Sequence, residues 1–253
     1  MERRALKLQY VGTDFCGWQV QKNGVSVQSV LQDAAEKAFG SRLPVTGCSR
    51  TDAGVHARGF VCTLDGVPEG IPDAKLPEAL NARLPASVVV TAAATVSPDF
   101  HPRYDASGKE YRYTIRNHRI PDPFSSAYSV CVPTREPLDA EKLSALCARF
   151  TGKHDFRAFM AAGSDVEDTV RTVFAFSCER IGDEIVFSVS ADGFLYNMVR
   201  ILVGTVLDLY SGALQTTPAE ILASRDRSFA GRTMPAKGLT LARVFYDKEP
   251  AWQ

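Results

Sequence analysis

Apolar and polar residues alternate along Ala5-Leu6-Lys7-Leu8-Gln9-Tyr10, the two-residue period of a half-buried strand. From Ser26 the period lengthens to about 3.6, with Val27, Val30, Leu31, Ala34, Ala35 and Ala38 on one helix face and Gly40 as the stop. Leu43-Pro44-Val45 and Phe60-Val61-Cys62-Thr63-Leu64 are short β-prone runs, Lys75 to Leu84 is a helix with proline in its first turn, and Ser87 to Val96 is a further strand. This order, β-α-β-β-α-β, is the ferredoxin-like arrangement.

A second half repeats the order loosely. Lys109 to Ile115 alternates as a strand, and a proline-rich crossover leads to a helix opening at Asp139. Thr169–Cys178 and Glu184–Ser190 read as a hairpin, Phe194 to Tyr210 as a long apolar helix, Ala219 to Ser224 as a short one, and Leu239 to Tyr246 as the strand that closes the second sheet. The pattern predicts an α+β protein of two related halves, 1–105 and 106–253, with mostly antiparallel sheets. No flexible linker separates them, which implies that the sheets join, with the groove between the halves as the natural site.

Between the strands near Val45 and Phe60 lies Gly47-Cys48-Ser49-Arg50-Thr51-Asp52-Ala53-Gly54-Val55-His56-Ala57-Arg58-Gly59, a loop of small residues with two arginines, one carboxylate and one imidazole. Glycines let such a loop approach a ligand, and nearby cations favour the ionised carboxylate. By pattern alone Asp52 is either a turn cap or a nucleophile. His56 reads as a core or loop residue. Residues 101–119 carry five Lys or Arg against two Asp or Glu, a local charge of +3, with Tyr111 and Tyr113 interleaved. Such a strand suits RNA contact, or packs its tyrosines inside and solvates its basic face. In the apolar helix, Arg200 has Tyr196, Asn197, Val203 and Gly204 as neighbours and no carboxylate within a turn. It must reach water or meet an acidic group from elsewhere in the fold.

Composition narrows the classes. At 253 residues, 45% hydrophobic and 23% charged, the chain is an ordinary globular protein with room for a sizeable core. Neither a signal-peptide core nor a membrane-length apolar run is present, so a cytoplasmic location is expected. Six scattered cysteines without a C-x-x-C pair point to free thiols, and the four dispersed histidines predict no metal site. A net charge of zero means that any RNA site must come from local clustering.

The stretch Ser49-Arg50-Thr51-Asp52-Ala53-Gly54-Val55-His56-Ala57 resembles the signature of the tRNA pseudouridine synthase A family. Further matches are Gly17-Trp18-Gln19-x-Gln21, Phe100-His101 with Arg103 and Lys109-x-Tyr111-x-Tyr113, and Met198-Val199-Arg200-Ile201-Leu202-Val203-Gly204. One departure is Val11, where an Asp is usual before Gly-Thr. The resemblance runs from Tyr10 to Leu241 and implies the pseudouridine synthase fold, with two sheets around a central active-site cleft. It also implies isomerisation of uridine to pseudouridine at positions 38, 39 and 40 of the tRNA anticodon arm, by a homodimer and without a cofactor. Asp52 would then be the nucleophile, Tyr111 would stack on the target uracil, Arg50 would fill the vacated space or hold a phosphate, and Arg200 would pair with Asp52. Two other classes stand beside this reading: a non-catalytic RNA-binding module, and a nucleosidase, which would usually need a second carboxylate as general acid.

Overall fold

A computed structural model describes residues 2–253, which divide into two units: 2–107 with 240–253, and Gly108–Leu239. In the first unit, β1 (Glu2–Tyr10) lies between β3 (His56–Val67) and β4 (Val88–Thr95), antiparallel to both, with Leu6 opposite Cys62 and Ala93. On the far side of β3, β2 (Val45–Gly47) pairs antiparallel with Cys62 to Leu64, and β10 (Leu239–Tyr246) pairs parallel through His56 and Ala57. Helix α1 (Val27–Phe39) starts at Ser26, whose hydroxyl accepts the Ser29 N–H while the Ser29 hydroxyl accepts the Ser26 N–H. It ends at Gly40, where φ of 78° is the left-handed cap that glycine takes without a Cβ penalty. Its inward face is Val27, Leu31, Ala34 and Ala35. Helix α2 (Leu76–Asn81) buries Leu76 and Leu80. A wholly buried leucine such as Leu31 stabilises the fold by roughly 1.5–3 kcal/mol.

In the second unit, β5 (Ala106–Arg116), β9 (Glu184–Ala191), β8 (Val170–Ile181) and β7 (Gly152–Asp155) form an antiparallel series in that order, with β6 (Val130–Cys131) parallel to the end of β5. Helix α3 (Ala140–Ala148) packs on β8 and on α4 (Met198–Tyr210), and α5 (Pro218–Ser224) follows. The Asp139 carboxylate caps α3 by accepting the Glu141 and Lys142 N–H groups.

One strand takes a partner that no local period encodes: Leu239–Tyr246 pairs with β3 of the first unit. Two expectations from sequence need correction. The strand near Phe60 begins at His56, so His56, Ala57, Arg58 and Gly59 are strand and not loop. Gly59 is needed there because a Cβ would stand 2.5 Å from the Ala242 carbonyl oxygen of β10. The long helix starts at Met198, four residues late, because Asn197 takes a left-handed φ of 61° and Phe194 to Tyr196 stay outside it. All six cysteines are free. Among the described residues no helix is long and apolar enough to cross a membrane.

Candidate active site

The loop from Cys48 to Val55 joins β2 to β3 and is held along its inner side. The Tyr10 hydroxyl and the Thr51 hydroxyl share a buried hydrogen bond of 2.8 Å, and the Trp18 N–H donates to the Thr51 carbonyl at 3.1 Å. The Val55 N–H closes a turn onto the Asp52 carbonyl at 3.1 Å, and the Cys48 N–H reaches the Val61 carbonyl at 2.9 Å. Beneath the loop Trp18 stacks on Phe60 with ring centroids 4.0 Å apart. Gly47 makes room for that indole, since a Cβ there would stand 2.5 Å from Trp18 Nε1.

This support sorts the loop's side chains. Thr51 and Val55 are buried, Asp52 is half-buried, and Arg50 and Ala53 are exposed. A half-buried carboxylate on a pinned main chain can be aimed without losing all its solvation. Buried His56 accepts the Gly12 N–H at Nδ1 (3.0 Å), which fixes a ring nitrogen as an acceptor and ties the glycine-rich 12–18 loop to β3. Sequence reasoning named Gly17 and Trp18 by resemblance but gave no role to Tyr10 or Thr51. The only local signal for that pair was an aromatic at a strand end and a threonine beside the aspartate.

Tyr111 and Tyr113 lie on the inward face of β5, with Arg112 exposed between them, as strand alternation requires. Tyr111 meets Phe194 edge to face, with centroids 5.0 Å apart. Tyr113 donates its hydroxyl to the Pro235 carbonyl at 2.7 Å. Burial pushes that phenol well above its usual pKa although the Arg200 charge pulls it down, so it stays a donor.

Arg200 belongs to the first turn of α4, not to its middle. A cation at a helix N-terminus opposes the macrodipole, at a cost of about 0.3–1 kcal/mol. Acceptors offset this: Nε donates to the Met234 carbonyl at 2.6 Å, and Nη1 reaches Asn197 Oδ1. The left-handed Asn197 that delays the helix therefore also serves the arginine. Neither Asn197 nor Met234 was foreseen from sequence, since Met234 is remote in the chain and the Asn197 contact depends on its backbone angle.

Arg50 and Asp52 thus share one loop in the first unit, and Tyr111 and Arg200 are carried by the second. Among the described residues, no three His, Cys, Asp or Glu side chains converge as a metal site needs. Two recesses lie elsewhere in the second unit, one of about 570 Å³ lined by His118, Arg119 and Arg135, the other of about 600 Å³ lined by Arg149, His154 and Arg225.

A family model described as tRNA pseudouridine synthase matches residues 7–105 and 146–247. Arg50, Asp52 and Arg200 fall inside the match; Tyr111 falls between its two parts. Over almost the whole chain the sequence is similar to proteins named tRNA pseudouridine synthase A. That of Brevibacillus brevis is 45% identical over 249 residues, covering 97% of this chain and 100% of the relative. Those of Clostridium kluyveri and Halalkalibacterium halodurans are 42% and 44% identical, covering 97% and 96% of this chain and 100% and 92% of the relatives.

Proposed function

Since the chain belongs to the tRNA pseudouridine synthase family and isomerises uridine in tRNA to pseudouridine, we propose that it acts at positions 38, 39 and 40 of the anticodon arm with Asp52 as its nucleophile. The observation that carries the assignment of Asp52 is its position in a loop whose neighbours Thr51 and Val55 are buried and tied down while Asp52 itself is half-buried.

Isomerisation breaks the bond from ribose C1′ to uracil N1, turns the base and joins C1′ to C5. The C5 proton leaves and N1 gains one. Attack at C1′, addition at uracil C6 and removal of a ribose proton all begin from an ionised carboxylate, which Asp52 supplies. No electron is transferred, so the reaction calls for no redox cofactor. The target base first leaves its stack, at a cost on the order of a few kcal/mol that is least in a loop or at a stem end.

In this reading Tyr111, held edge-on by Phe194, stacks on the extruded uracil. Exposed Arg50 holds a phosphate or fills the vacated space. Arg200, whose Nε and Nη1 are anchored by the Met234 carbonyl and Asn197, is the counter-charge that keeps Asp52 ionised and aimed. The family resemblance and the absence of a carboxylate within a helical turn of Arg200 support that pairing. We place the enzyme in the cytoplasm with its substrate, as a homodimer whose two copies share one tRNA. A neutral chain with a single basic strand supports such sharing.

The test uses tRNA labelled with tritium at uracil C5. Wild type releases tritium, and Asp52→Ala releases none while still binding tRNA. Undiminished release by Asp52→Ala would remove the nucleophile from the mechanism, and label confined to uridines outside 38–40 would remove the site assignment.

A further inference from the structure

Asp208 is a buried carboxylate on a largely apolar helix, and the proposed mechanism does not use it. Buried charge is costly unless paired, so its partners are informative. Asp208 Oδ2 accepts the Arg232 main-chain N–H at 3.0 Å, and Oδ1 pairs with Arg232 Nη1 at 2.8 Å. Three residues earlier on the helix, Thr205 Oγ1 accepts the Gly231 N–H at 2.9 Å. Residues 230–235 therefore run along α4 as a strap.

The strap fits tightly. A Cβ on Gly204 would stand 1.9 Å from the Arg232 carbonyl oxygen, and one on Gly231 would stand 2.7 Å from both Asp208 Oδ2 and Thr205 Cα. Arg200, Gly204 and Asp208 recur every four residues, so they share one helix face. Past the Asp208 anchor the strap reaches Arg200, which the proposed reaction uses. The Met234 N–H donates to the Arg200 carbonyl at 3.3 Å, and the Met234 carbonyl accepts Arg200 Nε at 2.6 Å. The next carbonyl, that of Pro235, accepts the Tyr113 hydroxyl at 2.7 Å. Gly238 lies against the same ring, where a Cβ would stand 2.6 Å from Tyr113 Cζ.

We propose that Asp208 is a positioning residue: it fixes the register of the 230–235 strap on α4, and the strap's Met234 carbonyl thereby holds the Arg200 guanidinium where the isomerisation needs it. The proposal rests on the catalytic role given to Arg200. Its physical basis is that a guanidinium oriented through Nε is only as well placed as the carbonyl it donates to, and that misplacement of about 1 Å at a reacting centre is worth about 100-fold in rate.

The experiment compares full-length Asp208→Ala, Asp208→Asn and Arg200→Lys by single-turnover tritium release, KM for tRNA, thermal melting and the Arg200 Nε–H resonance, assigned by its loss in Arg200→Lys. Asp208→Ala is expected to lose at least about tenfold in kcat with KM within about twofold of wild type, and to shift the Arg200 resonance. Asp208→Asn, nearly the same shape and still able to accept the Arg232 N–H, is expected to fold and to lose only about threefold. A folded Asp208→Ala or Asp208→Asn with wild-type kcat and an unmoved resonance overturns the proposal, as does a lower melting temperature with neither change. Slow Arg200→Lys beside wild-type-like Asp208 variants overturns this proposal alone. Arg200→Lys at full rate overturns the role of Arg200 and the proposal with it.

Discussion

Gly17→Ala probes the support of the Asp52 loop without touching a reacting group. Gly17 has φ of 93°, and an added Cβ would stand 2.4 Å from the Thr51 carbonyl oxygen and 3.1 Å from the Asp52 carbonyl carbon. Real Cβ contacts essentially never fall under 3.0 Å, so the two loops must part by at least the difference from 2.4 Å, about 0.6 Å. Both are main chain, so no side-chain rotation relieves the contact. A non-glycine residue in the left-handed region costs roughly 1–2 kcal/mol, and losing the Trp18 to Thr51 hydrogen bond about 1 more. A total of about 2–3 kcal/mol is bearable against a typical stability of 5–15 kcal/mol, so the variant should fold. Activity should suffer more, because a displacement approaching 1 Å costs about 100-fold in rate. Gly40→Ala is the control: φ is 78°, but nothing lies within 4 Å of its Cβ. Tritium release at saturating tRNA should fall about 100-fold in Gly17→Ala and stay near wild type in Gly40→Ala, with both melting below wild type. A fully active Gly17→Ala would show that the 12–18 loop does not hold Asp52 in place.

The remaining predictions concern the second unit, the exposed arginine and pH. Arg200→Met should fold, because regaining about 0.3–1 kcal/mol from removing a cation at a helix N-terminus offsets part of the loss of its hydrogen bonds to Met234 and Asn197, yet its tritium release should fall at least about 100-fold. Arg50→Ala should leave the melting temperature unchanged and weaken tRNA binding, and a shallower salt dependence, by about one unit of slope, would mark the loss of one phosphate contact. The Lys142 N–H that Asp139 accepts at the start of α3 is the first cause of its lowered pKa. A lowered carboxylate pKa stabilises the fold at pH above the ordinary value of about 4, and that contribution is lost as pH falls through the folded-state value. The melting-temperature gap between wild type and Asp139→Asn should therefore narrow on acidification below about pH 4; a gap constant with pH would exclude the charge as its source.

Much of this protein was legible in its sequence because the relevant physics is local. Ser26 and Gly40 mark the ends of α1, Asp139 opens α3, and the two-residue period sets which side of β5 holds Tyr111 and Tyr113, since capping and alternation depend on residues a few positions apart. The loop with Arg50 and Asp52 was legible for the same reason, and resemblance supplied its chemistry. Tertiary structure alone decided that β10 pairs with β3, that Asn197 turns left-handed to delay α4, and that Arg200 is met by the Met234 carbonyl. These depend on which distant main-chain groups remain to satisfy a strand edge or a buried donor, and periodicity holds no record of such partners.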